Sequence, residues 1–531
     1  MMDAVNTKHI YKAAFLITGI ISLAACRKDL LVTVPTDRIS TGIYWKTDVD
    51  ATNAANAVYT YMDGVNLVFW DGLSDIGHFN TTGAAFAPID QGVADAQNGE
   101  FAAQYTTCYK GINAVNNFMA NVDRITVTNA TLVNSRRGEV RALRAYFYLK
   151  LAGWFGAVPL VTSNITIDEG TQLTRTDVAT IYDYIGKELD TAATLLPNTQ
   201  TDKGRITKGA ALALKARAML YAGRYTEAAA AAKAVMDLNV YSLYPAYKQL
   251  FTYAAENNSE VIMDKQFVKD IYSNNIFSSM AAASLASSVA QVVPTKQGAD
   301  EFEMANGKAI TDPASGFDPY HPYDNRDPRL HYSIYTPGDT LVNGKVYNPI
   351  PGSGTADAIG GGNLYATTTG YNVRKYINPE DLSAPGNSGI NIIIIRYPEV
   401  LLTYAEAKIE LNQLDQSVYD AINQVRARPD VNMPPIAAGQ SQAQLRAAVR
   451  HERTVELEFE GLHTFDIRRW KTAETIYPGP IKGITYVKGG VLTTVVNSSF
   501  IRSFNPQRDY LWPIPQQEII LNKNLVQNPN W

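Results

Sequence analysis

Glu452, Glu456 and Glu460 stand four residues apart near the C-terminal end. That spacing puts three carboxylates on one face of a helix. Paired carboxylates can hydrolyse glycosides, provided that one of them is kept protonated in a cleft. Arg450, Arg453, Arg468 and Arg469 are interleaved with them, which favours an ion-pair lattice over a catalytic pair. Other chemistry finds less support. The six histidines (9, 78, 321, 331, 451 and 463) form no His-x-x-x-His pair, and no Cys-x-x-Cys occurs, so no zinc site is expected. No Gly-x-Ser-x-Gly elbow is present. Gly360 to Gly362 lacks the Lys-Ser/Thr of a phosphate-binding loop and reads as a loop tip. No catalytic residue, metal or cofactor is expected.

Composition narrows the partners. Of 531 residues 46% are hydrophobic and 18% charged, with a net charge of −4, against a usual charged fraction of about 25%. No concentrated basic run exists, which argues against nucleic acid. The 31 tyrosines outnumber 17 phenylalanines and 6 tryptophans; tyrosine joins an apolar face to a polar tip and suits wet binding surfaces as well as helical cores. One of the two cysteines, Cys26, closes Leu23-Ala-Ala-Cys26 after a basic start (Lys8, His9, Lys12) and the apolar run Ala13 to Ala25. This is a secretory signal pattern, too short for the roughly 20 residues of a membrane span. It resembles a bacterial lipoprotein lipobox, which implies cleavage before Cys26 and acylation of that cysteine. Cys108 then has no disulfide partner and reads as a small buried hydrophobe in a helix.

The elements that must position any site are mostly helices. Expected are a helix over 47–64, a long Gly- and Ala-rich loop over 65–97, and helices near 98–123 and 134–155. In the last of these Val140, Leu143, Phe147, Leu151 and Trp154 form one stripe. Val178, Ile181, Ile185, Leu189, Ala192 and Leu196 form another, with Thr174 and Asp177 read as a capping box. Residues 207–237, alanine-rich and broken by Gly223-Arg224-Tyr225, resemble one tetratricopeptide-type hairpin. From 240 to 390 the periodicity fades into loops with short strands. Helices return at Pro398 and run on through Val418 to Val425 and 441–461. The tail Tyr510 to Pro515 is extended, and Trp531 suggests a docked end. The resulting division is a signal at 1–25, a tether at 26–46, helical regions at 47–240 and 396–531 packed as one unit, and a loop-rich ligand face at 241–395.

Several motifs, in order, carry a family resemblance. They are Arg141-Ala-Leu-Arg-Ala-Tyr-Phe-Tyr-Leu149 with Trp154-Phe-Gly-Ala-Val-Pro159, Asp327-Pro-Arg-Leu330, and Gly370-Tyr-Asn-Val-Arg-Lys-Tyr376. Arg396-Tyr-Pro-Glu-Val-Leu-Leu-Thr-Tyr-Ala-Glu-Ala407, Asn423-Gln-Val-Arg-Ala-Arg428 and Glu452-Arg-Thr-Val-Glu-Leu-Glu-Phe-Glu-Gly461 follow, then Asp466-Ile-Arg-Arg-Trp470, Leu511-Trp-Pro-Ile-Pro515 and Gln527-Asn-Pro529. Together they resemble the SusD/RagB family over essentially the whole mature chain. The resemblance implies a mainly α fold, with four tetratricopeptide-like helix pairs and a loop-rich face bearing a few short strands. It implies a non-enzymatic, lipid-anchored protein on the outer membrane surface. Such a protein captures oligosaccharide, or alternatively peptide, for a SusC-like TonB-dependent transporter. A protein-binding helical scaffold and a surface glycosidase are the rival classes.

A sugar-binding site needs aromatic platforms beside polar groups in a preformed cleft. Two loop regions qualify, 66–90 and 268–325. From them Trp70, His78 and Phe79 are expected on one side of the ligand, with Tyr272, Phe277 and Tyr320 opposite.

Overall fold

The computed structural model describes residues 44–81, 83, 85–285 and 290–531. Cys26, the signal and all but the last three residues of the 26–46 segment lie outside this range. The described chain is mainly α. Among the described residues the helices of eight or more residues are α1 (Asp48–Tyr59), α2 (Gly99–Asn121), α3 (Ala130–Phe155), α4 (Val178–Leu195), α5 (Lys208–Tyr221), α6 (Tyr225–Asp237), α7 (Tyr397–Glu410), α8 (Gln416–Arg426) and α9 (Gln442–Leu457). They stack as the pairs α1–α2, α3–α4, α5–α6 and α7–α8, with α9 laid along α7. No helix among the described residues is long and apolar enough to cross a membrane.

The sequence explains the stack locally. The stripe on α4 is buried from Ile181 through Ala192, and Asp177 alone caps this helix, accepting from the Ala179 amide. Thr174 takes no part in the cap. Helix α3 buries far more than its single expected stripe, including Ala142, Ala145, Tyr146 and Tyr148, because α1, α2 and α4 all pack against it. Its buried Arg144 donates to Glu188 of α4 at 2.7 Å, so even the polar positions of α3 face neighbours. Gly111 lets α2 approach, since a Cβ there would sit 2.4 Å from the Phe147 ring. Gly223, at φ +70°, turns α5 into α6.

Segment 65–97 is not the loop expected. It holds short helices at Asn66–Phe69 and Ala87–Gln91, a 3₁₀ turn at Trp70–Leu73 and strand β1 (Gly77–Phe79). Residues 67–80 are buried throughout, so their backbone polar groups must be paired internally.

The remaining strands are β2 (Val261–Lys265), β3 (Val292–Pro294), β4 (Ile334–Tyr335), β5 (Asn372–Val373), β6 (Ile392–Arg396), β7 (Gly479–Lys488) and β8 (Val491–Arg502). They pair antiparallel as β1–β3, β2–β6, β4–β5 and β7–β8. The β7–β8 hairpin is absent from the sequence expectations. Gly489 and Gly490, at φ +57° and +82°, form its turn between two β-branched runs. The extended tail packs Trp512 flat on Trp154, 3.9 Å between centroids at 13°. Trp531 is docked, donating from Nε1 to Leu511 O at 2.9 Å beside Phe101. Cys108 is free and buried, and burial pushes its thiol up to about 11.

Candidate functional site

The acidic block is enclosed. Helix α9 ends at Leu457, and Phe459 and Gly461, at φ +59° and +79°, fold Glu460 back towards the helix stack. Glu456 accepts from Arg396 Nη1 at 2.5 Å, Arg428 Nη2 at 2.7 Å and Arg329 Nη1 at 2.9 Å. Glu452 accepts from Arg329 at 2.6 Å and Arg426 at 2.8 Å. Glu460 takes Arg396 and Lys375, and Glu260 takes Arg396 and Arg428. An ion-pair lattice does form, but its cations come from distant segments. Arg453 turns instead to Asp466, because a position next to Glu452 points off that residue's helix face, while Arg469, in the short helix His463–Arg469, bridges Asp466 and Glu406. Burial pushes the Glu456 carboxyl up, and Arg428, Arg396 and Arg329 outweigh it, holding the group at about 2.

Glu458 is the opposite case. Burial raises its carboxyl well above the usual range, and neither oxygen has a hydrogen-bond partner. It is wholly buried, so this protonated acid has no route to a substrate. Among the described residues no cluster of His, Cys, Asp and Glu could hold a metal.

The six candidate ligand residues separate. Trp70 is 1% exposed, set edge-on against Trp154 at 5.3 Å and Phe86 at 5.6 Å. Phe79 lies on Phe86 at 4.8 Å, and Phe277 has no exposed surface. These three offer a ligand no open ring face. The reason is area: large aromatics in an apolar loop gain most by turning inward. His78 is buried too, and its Nδ1 donates to Asp90 Oδ2 at 2.8 Å. Burial pushes its imidazole below the usual range. Tyr272 and Tyr320 remain exposed at 46% and 56%.

An open cleft of about 570 Å³ lies next to the expected 66–90 region. Its walls come from three distant segments. Residues 78–81 and Gly83 come from the end of β1 and the turn after it, residues 359–368 include the expected loop tip at Gly360, and residues 495–500 belong to β8. His78 and Phe79 form part of its lining, whereas Tyr272 and Tyr320 do not. Its polar side chains are Asn80, Thr81, Asn363, Thr367, Thr368, Asn497 and Ser499, interspersed with Leu364, Val495 and Val496. No Asp, Glu, Lys or Arg lines it among the described residues.

Each wall is fixed to the body. Asn80 Nδ2 donates to Ala366 O at 3.1 Å, and its Oδ1 accepts from the Thr368 amide at 2.7 Å. Ile484 N on β7 donates to Thr369 O at 2.7 Å. Arg502, at the end of β8, donates to Asp90 Oδ1 at 2.6 Å and to Ser74 O at 2.9 Å. Asp90 therefore ties β8 to His78 and to the Phe79 amide. Burial pushes its carboxyl up, and Arg502 and His78 outweigh that and hold it below the usual range. The β8 wall escaped sequence reasoning; Gly489-Gly490 between β-branched runs was the signal for it.

Stacked helix pairs, with an open cleft walled by loops and a β-hairpin, define a helical-repeat protein. The chain belongs to the SusD family: that family's model matches residues 259–531, just over half of the chain. A second model, described as starch-binding and associating with the outer membrane, matches residues 48–220. SusD-like protein P2 of Formosa agariphila is 26% identical over 547 residues, spanning 98% of this chain and 99% of that protein. The crystal structure of a SusD-like carbohydrate-binding protein from Bacteroides fragilis superposes with a TM-score of 0.83 at 29% identity, covering 91% of this chain and all of that one. A laminarin-binding SusD-like protein shares the fold, with a TM-score of 0.71 at 21% identity over 92% of this chain and all of that one.

Proposed function

We propose that this protein captures neutral oligosaccharide in the cleft between residues 78–81, 359–368 and 495–500, without chemical turnover. One observation carries the reading: the lining alternates hydroxyl and amide groups with aliphatic patches and, among the described residues, holds no Asp, Glu, Lys or Arg. Sugar hydroxyls need many donors and acceptors, and the C–H faces of sugar rings need apolar contact. A charged peptide or sulfated chain would find no counter-ion there. The names of the relatives, starch-binding, carbohydrate-binding and laminarin-binding, support the same class of ligand.

Cys26 would carry a lipid that holds the protein at the outer membrane surface, with 26–46 as the tether, the helical regions 47–240 and 396–531 as one scaffold that supplies two of the cleft walls, and 241–395 supplying the third. A SusC-like TonB-dependent transporter would take up the captured glycan. The test is native-gel retardation of protein lacking residues 1–26 in laminarin, starch, xylan and alginate. Retardation by a neutral polysaccharide, lost in an Asn363→Ala, Leu364→Ala variant that melts like wild type, supports the proposal. Binding of alginate alone, or reducing-sugar release by purified protein, overturns it.

A further inference from the structure

Tyr272 was expected opposite Trp70 and His78, yet the fold places it at a separate cavity. Strand β2 leads through Phe267 into a tight turn in which Val268 N donates to Tyr272 O and Tyr272 N to Val268 O, both at 2.9 Å. Asp270, at φ +67°, shapes the turn, and Asn387 Oδ1 accepts from its amide at 3.0 Å. The turn lays the Tyr272 ring parallel to Phe267, with centroids 5.3 Å apart and planes at 8°. Lys265 Nζ stands 5.7 Å from one centroid and 6.0 Å from the other. A point nearly equidistant from both rings lies beside the pair, so it leaves the outer face of Tyr272 uncapped.

A cavity of about 350 Å³ opens there, walled by Asn56 and Thr60 at the end of α1, by residues 202–205 and by the end of β2. It shares no lining residue with the cleft. Besides the exposed Lys203, two charged side chains on its wall, Lys265 and Asp264, have no ionic partner among the described residues. Lys265 donates to Thr60 O at 3.2 Å and Met62 O at 2.7 Å, which leaves one of its three N–H groups unused. Asp264, 6% exposed, accepts only from Gln266 Nε2 at 2.6 Å among side chains, and burial raises its carboxyl to about 6. Buried charge is costly without a partner, and here a donor and an acceptor sit beside an open, rigidly backed aromatic face.

We propose that Tyr272, Asp264 and Lys265 form a second glycan-binding site, in which a pyranose ring stacks on Tyr272 and its hydroxyls meet the carboxylate and ammonium. This rests on the glycan reading of the cleft. Polysaccharides repeat their unit, so two weak sites on one protein raise the avidity for a long chain well beyond either site alone.

The experiment titrates protein lacking residues 1–26 with neutral gluco-, xylo-, manno- and galacto-oligosaccharides of four to six units, and with the parent polysaccharides, by calorimetry. Wild type is expected to take up two oligosaccharides per chain. Tyr272→Ala should take up one and lose tenfold or more in polysaccharide affinity, while Tyr272→Phe keeps both, since it retains the ring face. The Asn363→Ala, Leu364→Ala cleft variant should keep the Tyr272 site alone. If Tyr272→Ala retains wild-type stoichiometry and affinity, or if the cleft variant loses all binding, the second site is overturned and the cleft reading stands. Failure of wild type to bind any of these sugars overturns both. Unchanged melting of Tyr272→Ala shows that a lost site is not a lost fold.

Discussion

Replacing Glu456 with glutamine tests whether the acidic block is architecture. The carboxylate is wholly buried and accepts from three arginines. Its native value of about 2, against 4.5 for the free side chain, corresponds to about 3 kcal/mol of stability. Breaking a buried ion pair from one side costs about 3–5 kcal/mol, because the remaining charges stay desolvated and uncompensated. A chain of this length gains on the order of 1 kcal/mol/K of unfolding entropy, so Glu456→Gln should lower Tm by about 3–5 °C at pH 7. A second signature follows from the sign. A depressed carboxyl contributes fully above its unfolded value and loses that contribution as pH falls from about 4.5 towards 2. The wild-type melting curve should therefore fall more steeply over that window than the variant's. Differential scanning calorimetry measures both, with Glu227→Gln as the exposed control, whose loose i,i+3 pair with Arg224 contributes little. A Tm within about 1 °C of wild type, or equal acid slopes, would refute the lattice argument.

Three further outcomes are expected. Asp90→Asn should destabilise the protein by about 3 kcal/mol, since Arg502 and the Phe79 amide lose a shared carboxylate. It should also weaken polysaccharide retardation by unpinning the β8 wall; unchanged binding and melting would dismiss that role. His463 has the reverse pH sign. Burial pushes its imidazole down, but Asp75 at 2.8 Å outweighs that and raises it to about 9. The pair's contribution, about 3 kcal/mol, is complete below pH 6.5 and lost as pH rises through 9. Wild type should therefore lose stability over that range and His463→Gln should not, as urea titrations at pH 6.5 and 9.5 would reveal. Cys26→Ala should abolish fractionation with the outer membrane; a variant still recovered there would break the proposed anchor.

The helices were legible because each carries a periodic apolar stripe that burial enforces, as on α4, and because Gly223 and Pro398 punctuate the chain where turns and starts occur. The candidate site was legible only as a region. Residues 66–90 do contribute a wall, but aromatic identity pointed to Trp70 and Phe79 as platforms, and those rings serve the core. Asn80, Asn363, Thr368 and Asn497, which line the cleft, are unremarkable in sequence, since hydroxyl and amide residues occur in every loop. What makes them a site is the convergence of segments nearly 300 and more than 400 positions apart. Single-chain spacing cannot express that convergence, and the hairpin that completes it was announced only by two glycines.

The motifs that mark the family are unevenly placed in the molecule. Asp327, Arg329, Lys375, Arg396, Arg426, Arg428, Glu452, Glu456 and Glu460 all come from the quoted motifs, and all meet in the one buried lattice. A buried charge tolerates few replacements, because any change of charge or reach strands its partners. A cleft wall is freer. Thr, Ser and Asn can each meet a sugar hydroxyl, and Leu364 or Val496 needs only to stay apolar and in place. Physical constraint therefore writes family membership into the lattice, and on the proposed reading the loops are left free to set ligand choice. The contacts that tie the cleft walls together, Asp90 with Arg502 and Asn80 with Thr368, include none of these lattice residues. Exchanging residues 359–368 for those of a relative with another sugar preference should shift which polysaccharide retards the protein while leaving Tm nearly constant. A swap that instead lowered Tm as much as Glu456→Gln would show that the loops and the lattice are one cooperative unit.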